Sequence, residues 1–132
     1  MSGITPTQRT LKAVRAQGRI VDVCERWIRN PKHPAGGFRK DLFGFIDLIA
    51  VDDTGIIGIQ SCGQDFKAHI DKITGEECHE NAVRWLRAAR LECWGWRRLK
   101  KKRGGKAMMW KPRIADFHLI GDNIMWDERC KK

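Results

Sequence analysis

The chain has 132 residues, of which 42% are hydrophobic and 32% are charged, which suits one hydrophobic core and excludes a disordered tail. Its 26 Lys and Arg residues outnumber its 16 Asp and Glu residues, and the formal net charge of +10 predicts a polyanionic partner, usually a nucleic acid. No apolar run reaches the ~18 residues of a spanning helix, so we expect no membrane partner.

The cysteines and the first residues bear on the cellular compartment. Five cysteines are widely spaced, without a C-x-x-C pair, and a zinc site would have to recruit Cys78, His79 and remote residues. This spacing favours buried or free thiols over disulfides or zinc. Because the N-terminal residues also lack the apolar segment of a secretory signal, we expect a cytoplasmic protein.

The first predicted element is a helix that begins at Pro6 and ends at Gly18. The apolar positions of residues 19–28 predict a strand. Residues 30–40 contain two prolines and two glycines, which do not fit inside a regular element, so this stretch is predicted to be a loop.

Two apolar segments follow, residues 41–51 and 56–63, and predict central strands joined by a tight turn at residues 52–55. Asp47 is a charged residue inside the first segment, and Gln60 is a polar residue near the end of the second. A hairpin about the turn would bring these two side chains to the same end, where carboxylate and amide oxygens suit Mg²⁺. The alternative is structural, with Asp47 satisfied by backbone amides and Gln60 capping its strand.

Helical spacing then predicts two helices, one from Asp65 as N-cap to Gly75 and a second over residues 77–90. Residues 91–99 predict a strand, and residues 107–114 predict its hairpin partner.

The predicted order is α-β-β-β-α-α-β-β, which indicates the α/β (α+β) class with a small mixed β-sheet flanked by helices. We expect one domain over residues 1–120 and a loosely held C-terminal tail over residues 121–132.

These motifs resemble the PD-(D/E)XK nuclease superfamily over roughly residues 7–96, in particular its Holliday-junction-resolvase-like and small phage-type branch. That superfamily places an Asp on one core strand and Glu-x-Lys on the next. Asp47 matches the Asp, Gln60 stands in place of the Glu, and Cys62 stands in place of the Lys. The resemblance implies a restriction-endonuclease-like core, a homodimer and a bacterial or phage-infected cell as the setting.

The resemblance also implies a catalytic set. Asp47 and Gln60 would bind Mg²⁺ or Mn²⁺, and Glu25 would replace a glutamate that relatives carry on the first helix. The missing lysine would come from the next helix, where Lys67 and Lys72 are the alternatives. Phosphodiester hydrolysis needs this combination of a metal ion and a nearby cation.

Two basic segments are candidates for DNA contact. Arg39 and Lys40 come directly before the Asp47 segment and would grip phosphates, with Asp41 as a second acid for the metal; a solvated loop is the alternative. The second segment, residues 97–106, has two glycines and seven cations: Arg97, Arg98, Lys100, Lys101, Lys102, Arg103 and Lys106.

Three tryptophans flank the second basic segment. Trp94 and Trp96 precede it and Trp110 follows it. Core packing is favoured for these side chains over stacking on unpaired bases.

Three functions are compatible with these features. The first is a metal-dependent DNA endonuclease that acts on branched or structured DNA. The second is a catalytically inactive nucleic-acid-binding protein that keeps the nuclease fold as a scaffold, which the missing lysine favours. The third, an RNA-associated basic protein, rests on charge alone and ranks last.

Overall fold

The computed structural model describes residues 4–129, which form three helices and eight strands. In chain order these are α1 (Pro6–Ala16), β1 (Ile20–Val23), β2 (Arg26–Arg29), β3 (Gly37–Lys40), β4 (Leu48–Asp52), β5 (Gly55–Cys62), α2 (Phe66–Thr74), α3 (Glu76–Ala88), β6 (Arg90–Lys100), β7 (Met108–Ile120) and β8 (Asn123–Glu128).

The main sheet has six strands in the order β1-β4-β5-β6-β7-β8, and β2 and β3 form a separate two-stranded arm. All neighbours in the main sheet are antiparallel except β5 and β6, which are parallel. A parallel pair needs a crossover connection, and α2 and α3 provide it. The mixed α/β class predicted from the sequence is confirmed.

Helices cover both faces of the sheet. Val14 of α1 packs with Leu48, Ile57 and Trp94 on one face. On the other face, Phe66 and Ile70 of α2 belong to a core with residues of α3 and β6. Because side chains alternate along a strand, the two faces of β5 differ, and its even-numbered positions 60 and 62 face α2 and α3.

Gly95 of β6 allows α2 to lie directly on the sheet. A Cβ atom at this position would lie 2.5 Å from the ring of Phe66, the first residue of α2. Glycine is therefore required here for space, and its absent side chain sets how closely α2 approaches the strand.

The stretch predicted as one strand over residues 19–28 is two strands that belong to different sheets. β1 joins the main sheet, the chain bends at Cys24 and Glu25, and β2 pairs with β3 in the arm. The predicted loop over residues 30–40 therefore ends in a strand, because Gly37–Lys40 pairs with Arg26–Arg29. The apolar pattern predicted extended backbone correctly but could not reveal the change of partner.

Two further boundaries are corrected. The strand predicted from residue 41 begins at Leu48, because Leu42 and Ile46 close a turn in which Phe43 has a φ of 58°. Asp47 therefore lies just before β4 rather than inside it. Asp65 does precede α2, but its carboxylate makes no capping hydrogen bond and pairs with His69 instead.

The C-terminal segment is also corrected over its described part. Residues 123–128, expected in a loosely held tail, form β8, an edge strand with Phe117 opposite Trp126. Arg129 then forms ion pairs with Asp116 and with the buried Glu92, and these contacts hold the end of the strand against the sheet. Among the described helices, none has the length and apolar character needed to cross a membrane.

Candidate metal centre and basic surfaces

Three acidic side chains from different segments meet at one end of the sheet. Glu25 lies in the bend between β1 and β2, Asp41 follows β3, and Asp47 precedes β4. One carboxylate oxygen from each lies within 4.8 Å of those of the other two. We call these three residues the carboxylate cluster. The bend places Glu25 because the backbone N–H groups of Cys24 and Glu25 both donate to the Asp47 carbonyl, at 2.8 and 3.2 Å.

Asp47 is the most buried member of the carboxylate cluster, with 4% of its surface exposed. Its Oδ2 accepts hydrogen bonds from Gln60 Nε2 at 2.6 Å and from the backbone N–H of Ser61 at 2.8 Å. Burial is the largest cause of a raised pKa for Asp47, and the adjacent Asp41 raises it further, although the two hydrogen bonds oppose the shift. A divalent cation would relieve the repulsion that favours the protonated form.

Asp41 responds in the opposite direction. Burial acts to raise its pKa, but hydrogen bonds from Asp47 and Lys72 and the charge of Lys72 outweigh burial, and the pKa is lowered. The pKa values of the two neighbouring aspartates therefore shift in opposite directions, as expected for two carboxyl groups that share one proton at close range.

Gln60 supplies the observation that points most directly to a ligand. Its side chain is 1% exposed and donates through Nε2 to Asp47, yet its Oε1 has no hydrogen-bond partner among the described residues. An unpaired buried amide oxygen is unfavourable by about 1–3 kcal/mol. Because the nitrogen of the same amide bonds to Asp47, this oxygen lies near that member of the carboxylate cluster, and carboxylate and amide oxygens suit a hard cation such as Mg²⁺ or Mn²⁺. The residues present therefore fit such an ion.

The two lysine candidates are separated by the structure. Lys72 Nζ lies 3.2 Å from Asp41 Oδ2, at the edge of the carboxylate cluster. Lys67, earlier on the same helix, pairs with Asp71 at an exposed position instead. Cys62 lies on the same face of β5 as residue 60, so a largely buried thiol occupies the place where the resemblance implied a lysine.

The arm lies against the carboxylate cluster and brings cations with it. Arg39 Nη1 lies 3.2 Å from Glu25 Oε1, and its side chain is 66% exposed. Lys40 and Arg26 line a cavity of about 560 Å³ that also includes Asp41. Arg39 and Lys40 thus lie beside the acidic residues, as the sequence predicted.

Trp27 and Arg26 are functional candidates that the sequence analysis missed. They line a second cavity of about 320 Å³ together with Glu25 and Arg39. The ring of Trp27 lies over Gly37, where a Cβ would be 2.7 Å away, and the side chain remains 54% exposed. Trp27 lies opposite Arg39 in the arm, and the prediction of a single strand over residues 19–28 could not reveal this pairing.

The basic hairpin, residues 97–106, projects from the same end of the sheet. Cys62, the last residue of β5, pairs with Gly95, and β6 continues for five residues to Lys100. At ~3.3 Å per residue, this extension reaches roughly 16 Å beyond β5. Six of the seven cations are exposed and Arg97 is half-buried; the exposed ones are Arg98, Lys100, Lys101, Lys102, Arg103 and Lys106.

The tryptophans around the basic hairpin divide between core and surface. Trp94 and Trp96 are 1% and 7% exposed, which confirms core packing for both. Trp96 Nε1 donates to Thr10 Oγ1 at 2.8 Å. Trp110 is 42% exposed, with the guanidinium of Arg9 4.1 Å from its ring centroid. The Arg9 guanidinium therefore already covers one face of the Trp110 ring.

No protein-family model matches the chain, and comparisons with curated proteins and with solved structures find no match. Function is therefore inferred from the geometry of the carboxylate cluster and the basic surfaces.

Proposed function

We propose that this protein is a DNA endonuclease that uses Mg²⁺ or Mn²⁺ to hydrolyse phosphodiester bonds. The observation that carries the proposal is the orphaned Oε1 of Gln60, whose amide nitrogen bonds to Asp47 of the carboxylate cluster. A purely structural role for Asp47 would need its own hydrogen bonds, which Gln60 and Ser61 supply, but it would not need two further acids and an unpaired amide oxygen.

The oxygen donors and the neighbouring lysine would have different roles in catalysis. Asp47, Glu25, Asp41 and Gln60 would hold the ion. When bound, the ion supplies positive charge that polarises a phosphate and lowers the pKa of water. Lys72, which contacts Asp41, would stabilise negative charge that develops on the phosphate.

Positive charge around the carboxylate cluster supports a nucleic acid as the substrate. Arg39 and Lys40 lie beside the cluster and would bind phosphates on either side of the scissile bond. The basic hairpin extends beyond the same end of the sheet and would bind the backbone farther along. We propose branched or structured DNA as the substrate, and the resemblance to resolvases supports a homodimer.

A second candidate function is DNA binding without cleavage. Cys62 favours it, because a thiol replaces the cation that the resemblance implies two residues after Gln60. In that case Lys72 would serve only as the ion-pair partner of Asp41. The carboxylate cluster and Lys72 together favour the enzyme, which remains the first proposal.

The deciding experiment is cleavage of labelled linear, nicked and four-way-junction DNA with Mg²⁺ or Mn²⁺. Asp47→Ala should abolish metal-dependent cutting. Asp53→Ala is the matched control, because Asp53 is an exposed aspartate at the far turn of the same hairpin, and it should cut like wild type. Tight DNA binding by wild type with no cutting of any substrate would overturn the enzyme in favour of the scaffold.

A further inference from the structure

A second group of metal-ligating side chains lies where β5 passes into α2. Cys62 is the last residue of β5, Asp65 precedes α2, and His69 lies one turn into the helix. A thiol sulfur, a carboxylate oxygen and a ring nitrogen from these residues all lie within 4.8 Å of one another. We propose that this group, the thiol cluster, is a Zn²⁺ site distinct from the carboxylate cluster.

The state of His69 provides an independent reason. Its Nε2 lies 3.0 Å from Asp65 Oδ2, whereas its Nδ1 is buried and has no hydrogen-bond partner among residues 4–129. Buried polar nitrogens in folded proteins nearly always have a partner. The unpaired Nδ1 is therefore available to bind the ion, and the exposed Asp65 side chain would leave Nε2 to join it as a ligand.

The donor chemistry separates the two clusters. Sulfur, imidazole nitrogen and carboxylate oxygen form a donor set typical of Zn²⁺, while the carboxylate cluster offers oxygen alone. Bond lengths of about 2.0–2.3 Å around a tetrahedral ion place its ligands about 3.3–3.7 Å apart. The present separations, up to 4.8 Å, need side-chain shifts of about 1 Å to close. Three protein ligands leave a fourth position for water.

The ligand spacing explains why the sequence did not predict this site. The ligands form a Cys-x-x-Asp-x-x-x-His pattern, in which Asp65 and His69 are four residues apart at the start of a helix. Residues four apart lie on one helical face, and the helix places that face against the end of β5. An ion held here would tie β5 to α2, the helix that carries Lys72.

Cobalt substitution in the full-length, metal-free protein tests the proposal. A thiolate bound to Co²⁺ gives an intense near-ultraviolet charge-transfer band that an all-oxygen site does not give. We expect this band in wild type, its displacement by equimolar Zn²⁺, and its persistence in excess Mg²⁺. Cys62→Ser should lose the band, and Cys78→Ser, which changes a buried thiol outside the cluster, should keep it.

A second variant guards against misfolding, because Cys62 is buried. The His69 side chain is 25% exposed, so His69→Ala should fold. We expect its Zn²⁺ affinity, measured by competition with a chromophoric chelator, to fall at least about tenfold. His79→Ala is the control and should match wild type. Absence of the band in wild type, its retention in Cys62→Ser, or unchanged affinity in His69→Ala would each overturn the site. All three readouts are independent of DNA cleavage.

Discussion

Gln60 and Asp47 are joined across the start of the β4–β5 hairpin by a hydrogen bond of 2.6 Å from the amide nitrogen to the carboxylate. The bond fixes the orientation of the amide, whose Oε1 has no hydrogen-bond partner among the described residues. Much of the chemistry proposed for this protein depends on that orientation.

Gln60→Glu should lower the stability of the metal-free protein and raise its affinity for Mg²⁺. A fourth carboxylate beside three others adds repulsion, and we expect the free energy of unfolding in EDTA to fall by about 1–3 kcal/mol. Saturating Mg²⁺ should remove this loss and give a larger rise in Tm than in wild type. Gln64→Glu, at an exposed position four residues later, is the control. An equal Mg²⁺-induced Tm shift in wild type and Gln60→Glu would contradict the assignment of Gln60 as a ligand.

Asp47→Asn should change how stability depends on pH. An acid whose folded pKa is raised stabilises the fold below its unfolded pKa, and that stabilisation is lost as pH rises through the folded value. In EDTA, the stability of wild type relative to Asp47→Asn should therefore decrease as pH rises from acidic values through the raised pKa. Denaturation by urea at a series of pH values measures this difference, and a pH-independent difference would show that Asp47 ionises normally.

The two lysines of α2 should differ in their effect on cleavage. Lys72→Gln removes the cation that contacts Asp41, and we expect the single-turnover rate to fall about 10²–10³-fold with DNA affinity changed only a few-fold. Lys67→Gln removes a cation from an exposed pair with Asp71 and should cut at nearly the wild-type rate. Equal rates for the two variants would remove Lys72 from the catalytic set.

Neutralising the tip of the basic hairpin should reduce the salt dependence of DNA binding. In the triple variant Lys101→Gln, Lys102→Gln, Arg103→Gln, the slope of log K against log salt should become shallower by up to about 0.9 for each phosphate that the hairpin no longer neutralises. These side chains are exposed, so Tm should not change. Arg84→Gln removes an exposed cation of α3, paired with Glu80, and serves as the control. An unchanged slope in the triple variant would show that DNA does not contact the tip of the basic hairpin.

Trp27→Ala should weaken binding to DNA that contains unpaired nucleotides. The exposed ring, flanked by Arg26 and Arg39 and close to Glu25, offers a stacking surface beside the carboxylate cluster. We expect about tenfold lower affinity for forked DNA, little change for duplex DNA, and near-normal binding by Trp27→Phe. Fluorescence anisotropy in EDTA measures binding without cleavage, and Trp110→Ala is the matched control. Equal losses on forked and duplex DNA would argue against base stacking.

Local patterns predicted the secondary structure well where both hydrogen-bonding partners are close in sequence. The Asp52–Gly55 turn, the end of α2 at Gly75 and the hairpin at the basic loop are all found. The bend at Cys24 and the pairing of β8 were not predicted, because the choice of strand partner depends on distant backbone groups rather than on local apolar spacing.

Composition gave the excess of positive charge, the order of elements along the chain predicted the mixed α/β class, and one short hairpin predicted that Asp47 and Gln60 lie close together. Which acids join that pair, and which lysine lies near it, became clear only from the packing of distant segments. Glu25 and Asp41 reach Asp47 because the arm folds back at a bend whose hydrogen bonds go to the Asp47 carbonyl. Lys72 reaches Asp41 because the crossover places α2 over the same face of the sheet. The site combines side chains from the bend, the end of the arm, the β4–β5 hairpin and α2. Their proximity depends on how these four segments pack, and local spacing along the chain does not encode that packing.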